Sequence, residues 1–270
     1  MDGTLLSSKG VVTPSTVDAL RAAQSRGVRV LIATGKARPG AMAALAASGL
    51  SGDGPTAVCG AHTPGVYLQG LTVYGAAGGL IFRRELAPDV VADAFSLAAA
   101  AGVPAAAFSG DTCVCLVESP QLELLHSRYF EPRAALAPSL DALQAGPPVV
   151  KVLFYAPSAA AIDALRPRAE AALRGRATVV QAVPDMLEVL PLQASKGAGV
   201  SRLLASLGVP PARAAAVGDG ENDVYMLRGV GLGLAMANAV PLARAAAAHV
   251  LARSNDQDGV AEAVERFLLR

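Results

Sequence analysis

The sequence predicts an α/β fold in which an α+β insert interrupts a core built on a largely parallel sheet. Helix and strand patterns alternate in the first and last parts of the 270-residue chain, as they do where helices cover a parallel sheet. The middle part combines hairpin patterns with helices. Polar clusters follow several predicted strands, which is where open α/β sheets bind ligands.

The first part of the chain contains one helix pattern followed by one strand pattern. Thr13 and Pro14 suit the start of a helix, and Gly27 suits its end. The segment 28–33, which is apolar except for Arg29, then predicts a strand that leads into Thr34. This order places Thr34 at one edge of the predicted sheet.

The last part of the chain has a second unit of this kind. Ser195 suits the N-cap of a helix that ends at Gly208, with apolar residues at helical spacing between them. The apolar run 214–217 predicts a strand that leads into the acidic segment 218–223. Two such units flank the middle of the chain.

The middle part predicts a compact α+β structure. A hairpin over 71–82 is expected to turn at 75–79, where glycine is frequent. The further elements, in chain order, are a helix near 88–101, strands near 103–108 and 112–117, a strand over 149–155, a helix near 158–174 and two strands within 177–190.

Composition excludes several classes of protein. The 23 Lys and Arg residues nearly balance the 22 Asp and Glu residues, so a net charge of +1 gives no reason to expect a nucleic acid or an anionic membrane as partner. Three cysteines are too few for a disulfide framework. A charged fraction of 17% argues against disorder.

The mean hydropathy of +0.42 raises the question of a membrane span. The segment 54–82 has no charged residue, but its glycines and prolines make it a poor helix in lipid, so we expect no span. The start of the chain has neither a basic region nor a long apolar region, so it shows no signal peptide. We therefore expect a cytoplasmic protein, or an organellar one if a leader precedes Met1.

Four polar clusters lie at the predicted ends of elements, and together they suit a phosphate and a divalent cation. Asp219 and Asp223 offer carboxylates to Mg²⁺. Lys196 offers a point charge to phosphoryl oxygens, and Thr34 and Gly35 offer hydroxyl and backbone N–H donors. The clusters are Asp2-Gly3-Thr4-Leu5, Thr34-Gly35-Lys36, Ser195-Lys196-Gly197 and Gly218-Asp219-Gly220-Glu221-Asn222-Asp223.

In this order the four clusters resemble the motifs of the haloacid dehalogenase (HAD) superfamily, and within it the Cof-type phosphatases with a type IIB cap. The segments 235–239 and 254–261 also resemble late segments of that family. Only 32 positions separate Asp2 from Thr34, whereas 162 positions separate Thr34 from Lys196, so the insert lies between the second and third motifs. The resemblance implies a Rossmann-like core over 1–70 and 191–270 and a cap over 71–190.

The resemblance also implies a mechanism through an aspartyl phosphate, with Mg²⁺ as cofactor and a small phosphorylated metabolite as substrate. The family's first motif has a nucleophilic Asp two residues before an acid-base Asp. Met1 occupies the position between them and Asp2 the second, so the nucleophile would precede Met1. We expect the complete protein to be a phosphatase and this chain alone to be nearly inactive.

The site roles that the resemblance implies fall into three groups. Catalysis is expected from Asp2, Thr34 and Lys196. The phosphate is expected to contact Met1, Thr34, Gly35, Lys196 and Asn222, and the metal is expected to contact Asp2, Asp219 and Asp223.

Two other functions fit the same residues. The chain could belong to a phosphometabolite-binding or regulatory protein without the nucleophile, or to a relative of phosphosugar mutases or of sucrose- and trehalose-phosphate phosphatases. An in-frame Asp directly before Met1 would favour the enzyme, and an in-frame stop codon would favour the binding protein. The sequence indicates neither one substrate nor an oligomeric state.

Two further patterns have simpler explanations. Residues 254–265 nearly match a calcium-binding EF-hand loop, but helix capping explains them better. Cys113 and Cys115 share one face of a predicted strand, where buried free thiols are expected rather than a metal site.

Overall fold

A computed structural model describes residues 1–54, 56–156, 158–183 and 185–269. The chain divides into two compact units. Unit 1 comprises Met1–Lys36, Ala41–Phe82 and Ser195–Arg270, and unit 2 comprises Ala37–Gly40 and Arg83–Ala194.

The first part of the chain forms two helices and four strands. Helix α1 follows the predicted cap, since the Thr13 hydroxyl accepts a hydrogen bond from the Thr16 N–H. The elements are α1 (Pro14–Ser25), β1 (Ile32–Ala33), α2 (Arg38–Ala46), β2 (Gly65–Tyr67), β3 (Thr72–Tyr74) and β4 (Leu80–Arg83). The four strands form one sheet in the order β1-β2-β3-β4, with β1 and β2 parallel.

The middle part forms a six-stranded sheet in the order β7-β6-β5-β8-β10-β9. Its elements are α3 (Pro88–Ala101), β5 (Ala105–Ser109), β6 (Thr112–Cys115), α4 (Pro120–Tyr129), β7 (Ala134–Leu136), α5 (Leu140–Ala145), β8 (Lys151–Tyr155), α6 (Ala159–Ala172), β9 (Ala177–Val183) and β10 (Met186–Pro191). The helices and strands expected within 88–117 and 149–190 are confirmed in the described residues, while α4, β7 and α5 were not expected.

One face of this sheet forms the core of unit 2. Val152 and Phe154 of β8 point to the same face as Leu187 and Val189 of β10, and all four are buried with helix residues such as Ile162. The alternation along both strands explains this one-sided core. The opposite face holds polar residues described below.

The last part of the chain returns to unit 1. Its elements are α7 (Lys196–Ser206), β11 (Ala215–Gly218), α8 (Val224–Arg228), β12 (Leu232–Ala235), α9 (Pro241–Ala246), β13 (His249–Val250) and α10 (Gly259–Ala263). Strands β11, β12 and β13 form a parallel sheet in that order. Ser195 caps α7 as predicted, since its hydroxyl accepts from the Ala198 N–H at 3.3 Å.

The compact units and the expected domain limits differ at the first boundary. Strand β3 pairs with β2 in antiparallel register, with Val73 opposite Val66, and both valines pack against Leu203. This pairing brings the segment 71–82 into unit 1, whereas the sequence placed it in the insert. Within the described ranges, no helix has the length and apolar composition needed to cross a bilayer.

The predicted strand over 28–33 is shorter than expected. Only Ile32 and Ala33 are paired as β1, and they pair with Gly65 and Val66 of β2. Strand β11, by contrast, covers nearly the whole predicted run.

Candidate active site

Asp219 lies directly after β11 and contacts the loop at the start of the chain. Its carboxylate accepts a hydrogen bond from the Thr4 hydroxyl. Gly3 has a left-handed backbone, with φ of 70°, and a Cβ at that position would overlap the Asp219 carboxylate. The loop therefore approaches Asp219 this closely only because residue 3 is glycine.

Asp223 and Lys196 form a buried ion pair in the same region. The Lys196 Nζ donates to Asp223 Oδ1 at 2.7 Å, and both side chains are 5% exposed. Asp223 Oδ2 accepts from the N–H groups of Asp219 and Gly220, at 2.9 and 3.0 Å. Asp223 thus fixes both the lysine and the turn that follows β11.

The two carboxyl groups of this turn are affected differently by their surroundings. Burial raises the pKa of Asp219. Burial also opposes ionisation of Asp223, but the Lys196 ammonium, together with the Gly220 N–H and the charged amino group of Met1, lowers the pKa of that carboxyl. The surroundings of Asp223 therefore favour its ionised form, whereas a nearby cation would stabilise the ionised form of Asp219.

The turn after β1 holds Thr34 and Lys36 in buried positions. The Thr34 hydroxyl accepts from the Lys36 N–H at 3.1 Å, and the Thr34 N–H donates to the Val66 carbonyl at 2.9 Å. The Lys36 Nζ lies 3.1 Å from Asp2 Oδ2. Burial opposes ionisation of Asp2, but the Lys36 charge, the charged amino group of Met1 and hydrogen bonds to the carboxylate together lower the pKa of Asp2.

Gln69 links this turn to Asn222. Its backbone N–H donates to the Thr34 carbonyl at 3.1 Å, and its side-chain Oε1 accepts from Asn222 Nδ2 at 2.9 Å. A Cβ at Gly35 would lie 2.6 Å from Gln69 Nε2. Gln69 is 5% exposed and has a left-handed backbone, with φ of 61°, which costs a non-glycine residue free energy.

Met1 lies beside the same groups. It is 9% exposed, and its amino nitrogen has charge interactions with Lys196, Asp219 and Asp223. Together with the contacts of Asp2, Thr4 and Gln69, this position connects all four polar clusters of the sequence.

The residues fit a magnesium ion only in part. Asp219 offers a carboxylate, but Asp223 is held by Lys196 and two N–H groups, and Asp2 is paired with Lys36. Among the described residues, no three His, Cys, Asp or Glu side chains are grouped so that they could hold a metal ion. A complete ligand set therefore requires a further oxygen ligand.

The structure brings together the residues that the sequence selected, but their roles stay predictions. Gln69 was not selected, because it lies in an uncharged apolar stretch where no pattern distinguishes it. Lys36 was left without a role, and its ion pair with Asp2 becomes visible only in the structure.

The two simpler explanations are supported. Asp256 accepts from the Ser8 N–H and Asp258 from the Thr13 hydroxyl, so their carboxylates bind separate donors. Ser254 and Gln257 form a capping box. Cys113 and Cys115 are buried free thiols.

Comparison with known proteins identifies the family. A family described as haloacid dehalogenase-like hydrolase matches residues 1–264. The chain belongs to this family. As a haloacid dehalogenase-like hydrolase, it has the α/β core and inserted α+β unit that the sequence predicted, so the fold prediction and the resemblance are confirmed.

Curated relatives of this hydrolase differ in length. The chain is 42% identical over 268 residues to the Arabidopsis thaliana protein named "Endoribonuclease YBEY, chloroplastic", and spans 99% of itself but only 45% of that relative. It is 27% identical over 273 residues to the Bacillus subtilis (strain 168) protein named "Putative phosphatase YxeH", of which it spans 96%.

Solved structures share the fold of this hydrolase. A haloacid dehalogenase-like hydrolase from Bacteroides thetaiotaomicron has a TM-score of 0.83 at 23% identity, over 98% of this chain and 96% of that one. The structure described as the HAD subclass IIB sugar phosphatase BT4131 has a TM-score of 0.78 at 20% identity, over 100% and 97% of the two chains.

Proposed function

We propose that the complete protein is a Mg²⁺-dependent phosphatase that hydrolyses small phosphorylated metabolites, such as sugar phosphates or nucleotide-related esters. The observation that best supports this function is the buried Lys196–Asp223 pair beside Asp219. It places a fixed positive charge next to a desolvated carboxyl group, and a phosphoryl group with a metal ion needs both.

The covalent step is assigned to an aspartate that directly precedes Met1. Its carboxylate would attack phosphorus, the bond from phosphorus to the ester oxygen would break, and Asp2 would protonate the leaving oxygen. Water would then attack phosphorus, and Asp2 would take up the proton of the water. The bond from phosphorus to the aspartate oxygen would break, which releases inorganic phosphate and restores the aspartate. Lys36 lowers the pKa of Asp2, which favours the second step, so the first step requires that this ion pair open.

The other residues of the site bind the phosphoryl group. Thr34, Gly35 and Asn222 would donate hydrogen bonds, and Lys196 would neutralise charge. Mg²⁺ would add positive charge at the phosphoryl oxygens, with Asp219 as a ligand and the aspartate before Met1 as the further ligand that the described residues do not supply.

A panel of phosphate esters tests this function. A polypeptide that includes the natural residues before Met1 should hydrolyse some of them in the presence of Mg²⁺, and the present chain alone should be nearly inactive. Lys9→Ala is the matched control for Lys196→Ala, because Lys9 is exposed. Lack of turnover on every ester by the longer, folded polypeptide would contradict the proposal.

A non-catalytic protein that binds phosphometabolites is the second candidate. It is favoured by the incomplete metal-ligand set within the described ranges. It predicts that the longer polypeptide binds inorganic phosphate or a sugar phosphate in calorimetry without hydrolysing it. The panel also separates a phosphosugar mutase or a sucrose- or trehalose-phosphate phosphatase from a less specific enzyme, because these would act on only a few sugar phosphates.

The partner and compartment follow from the same reasoning. We expect a small phosphorylated metabolite as the partner, with no role for nucleic acid or a membrane. We assign the protein to the cytoplasm, or to an organelle if a leader precedes Met1, and the name of the chloroplastic relative supports the second location. Fluorescent fusion of the complete protein would separate the two.

A further inference from the structure

The turn 68–70 of unit 1 contacts the turn that follows β1. The Leu68 N–H donates to the Lys36 carbonyl at 3.0 Å. The Gln69 N–H donates to the Thr34 carbonyl at 3.1 Å. The turn after β1 is therefore held by two backbone donors of the turn 68–70.

The same turn lies directly against the start of α7. A Cβ at Gly70 would lie 2.2 Å from the Ser195 carbonyl oxygen and 3.2 Å from the Lys196 Cα. A Cβ at Gly199, in the next turn of α7, would lie 2.9 Å from the Gly70 Cα. Backbone contacts thus fix the turn 68–70 on two sides, and they leave the Gln69 backbone little freedom to move.

The Gln69 side chain extends from this fixed backbone to Asn222. Its Oε1 accepts from Asn222 Nδ2 at 2.9 Å, and its Nε2 lies next to Gly35. Gln69 is 5% exposed, whereas Asn222 is exposed. A buried and fixed acceptor therefore holds the amide of an exposed side chain.

The two ends of the Asn222 amide have different neighbours. Its Oδ1 lies against Gly220, where a Cβ would be 2.6 Å from that oxygen, and its Nδ2 donates to Gln69. An amide nitrogen carries two N–H donors, so the hydrogen bond to Gln69 uses only one of them. These contacts set which end of the amide is the donor.

We propose that Gln69 is a positioning residue, whose side-chain oxygen orients the Asn222 amide so that its second N–H donates to the phosphoryl group of the substrate. This inference rests on the proposed function, because it needs a phosphoryl group beside Asn222. The oxygens of a phosphate dianion accept hydrogen bonds, so an amide turned the other way would present a carbonyl oxygen to them. Without Gln69 the exposed Asn222 side chain would sample both orientations and lose part of its contribution to binding.

A double-mutant cycle in ester hydrolysis tests this role. The cycle uses the polypeptide of the ester panel and compares Gln69→Ala, Asn222→Ala and the double variant with the unchanged sequence. Gln69→Ala keeps the backbone N–H to Thr34 and should lower kcat/KM about tenfold. KM should rise with little change in kcat, because a hydrogen bond to the phosphoryl group is made in the bound substrate as well as in the transition state.

The double variant should be no less active than Asn222→Ala, because Gln69 acts through Asn222. Losses in kcat/KM that add in the double variant would overturn the inference. A fall in kcat with unchanged KM would also overturn it, since that result indicates a smaller active fraction of the enzyme rather than weaker binding of the phosphoryl group.

Gln193→Ala is the matched control. Gln193 has the same side chain and nearly the same left-handed backbone, with φ of 62°, but it is exposed. This variant should keep the kcat/KM of the unchanged polypeptide, and circular dichroism should show that all variants are folded at the assay temperature. An equal loss in Gln193→Ala and Gln69→Ala would assign the loss to the backbone conformation and overturn the inference.

Binding of inorganic phosphate, measured by calorimetry, separates this inference from the proposed function. Gln69→Ala should weaken phosphate binding about tenfold, as it weakens kcat/KM. Weaker phosphate binding by Gln69→Ala in a polypeptide that hydrolyses no ester would support the positioning role and contradict the phosphatase. Turnover of esters with an additive cycle would do the opposite, and a polypeptide that neither hydrolyses esters nor binds phosphate would overturn both.

Discussion

Each unit of this hydrolase contains one buried lysine–carboxylate pair. In unit 1 the Lys196 Nζ lies 2.7 Å from Asp223, and in unit 2 the Lys151 Nζ lies 2.9 Å from Glu188. The four side chains are at most 6% exposed. Distance and burial alone therefore do not distinguish the two pairs.

The surroundings of the two ion pairs distinguish them. Asp223 also accepts from two backbone N–H groups in the turn after a strand, beside a second carboxyl group. Lys151 and Glu188 instead bridge the adjacent strands β8 and β10, and the Lys151 Nζ lies 4.5 Å from the Phe108 ring centre. Burial opposes the charge of Lys151, but Glu188 and Glu131 together outweigh it and raise the lysine pKa. A buried ion pair indicates a binding site only where loop backbone and further polar groups converge on it.

Breaking the pair in unit 2 should have the largest effect on stability. Lys151→Met removes the ammonium that pairs with the buried Glu188 carboxylate, which costs about 3–5 kcal/mol of unfolding free energy. The double variant Lys151→Met/Glu188→Leu should recover most of this loss in denaturant titrations. If the double variant is no more stable than Lys151→Met, the ion pair contributes to the free energy of unfolding beyond neutralising its two buried charges.

Breaking the pair in unit 1 should affect activity as well as stability. Lys196→Met removes the fixed charge for the phosphoryl group, so kcat of the longer polypeptide should fall about 10²–10³-fold, or about 2.7–4 kcal/mol. Unlike in unit 2, removing the partner as well, with Asp223→Leu, should not restore the lost function. Steady-state kinetics on the best ester would measure both variants, and full activity of Lys196→Met would remove the basis of the proposed site.

Gln69 provides a smaller test within unit 1. Gln69→Ala removes the hydrogen bond to Asn222, which is exposed, and should lower the free energy of unfolding by about 0.5–1.5 kcal/mol. A double-mutant cycle with Asn222→Ala should give a coupling energy of about 0.5 kcal/mol or more, whereas Gln69 and the distant control Lys9→Ala should be additive. Thermal or chemical denaturation would measure it, and a coupling energy near zero would mean that the hydrogen bond does not stabilise the site.

An effect of similar size is expected from pH and concerns unit 2. Burial raises the pKa of Cys113 from 9.0 to about 12. In the folded state the Cys113 thiol keeps its proton up to a higher pH than in the unfolded state. The stability that this difference contributes is complete below pH 9 and is lost as the pH rises toward 12. At pH 10 unit 2 should be less stable by about 1.4 kcal/mol than at neutral pH. Cys113→Ala should flatten this dependence in denaturation curves.

Much of the fold follows from local patterns in the sequence. Ser195 and Thr13 cap their helices because their hydroxyls can accept from N–H groups three residues on, a purely local interaction. The strands over 149–155 and within 177–190 were also predicted from the residues of those segments alone. The first boundary of the insert was not predictable in this way, since it depends on pairing of β3 with β2.

The candidate site likewise contains residues that the sequence could predict and residues that it could not. The motifs selected Asp219, Lys196 and Thr34, which the structure brings into one connected set. They could not select Gln69, because its importance comes from a backbone conformation and from Asn222, 153 positions away in the chain. The different environments of Asp219 and Asp223 also depend on tertiary burial rather than on residue type.

The backbone at Leu68, Gln69 and Gly70 has a consequence for the order of folding. Three successive residues have positive φ, of 50°, 61° and 88°. This left-handed conformation is intrinsically unfavourable for the first two, which are not glycine. The turn can therefore persist only after the rest of unit 1 surrounds it. We expect substitutions at Gln69 to accelerate unfolding and leave the folding rate unchanged, which places this turn outside the folding nucleus.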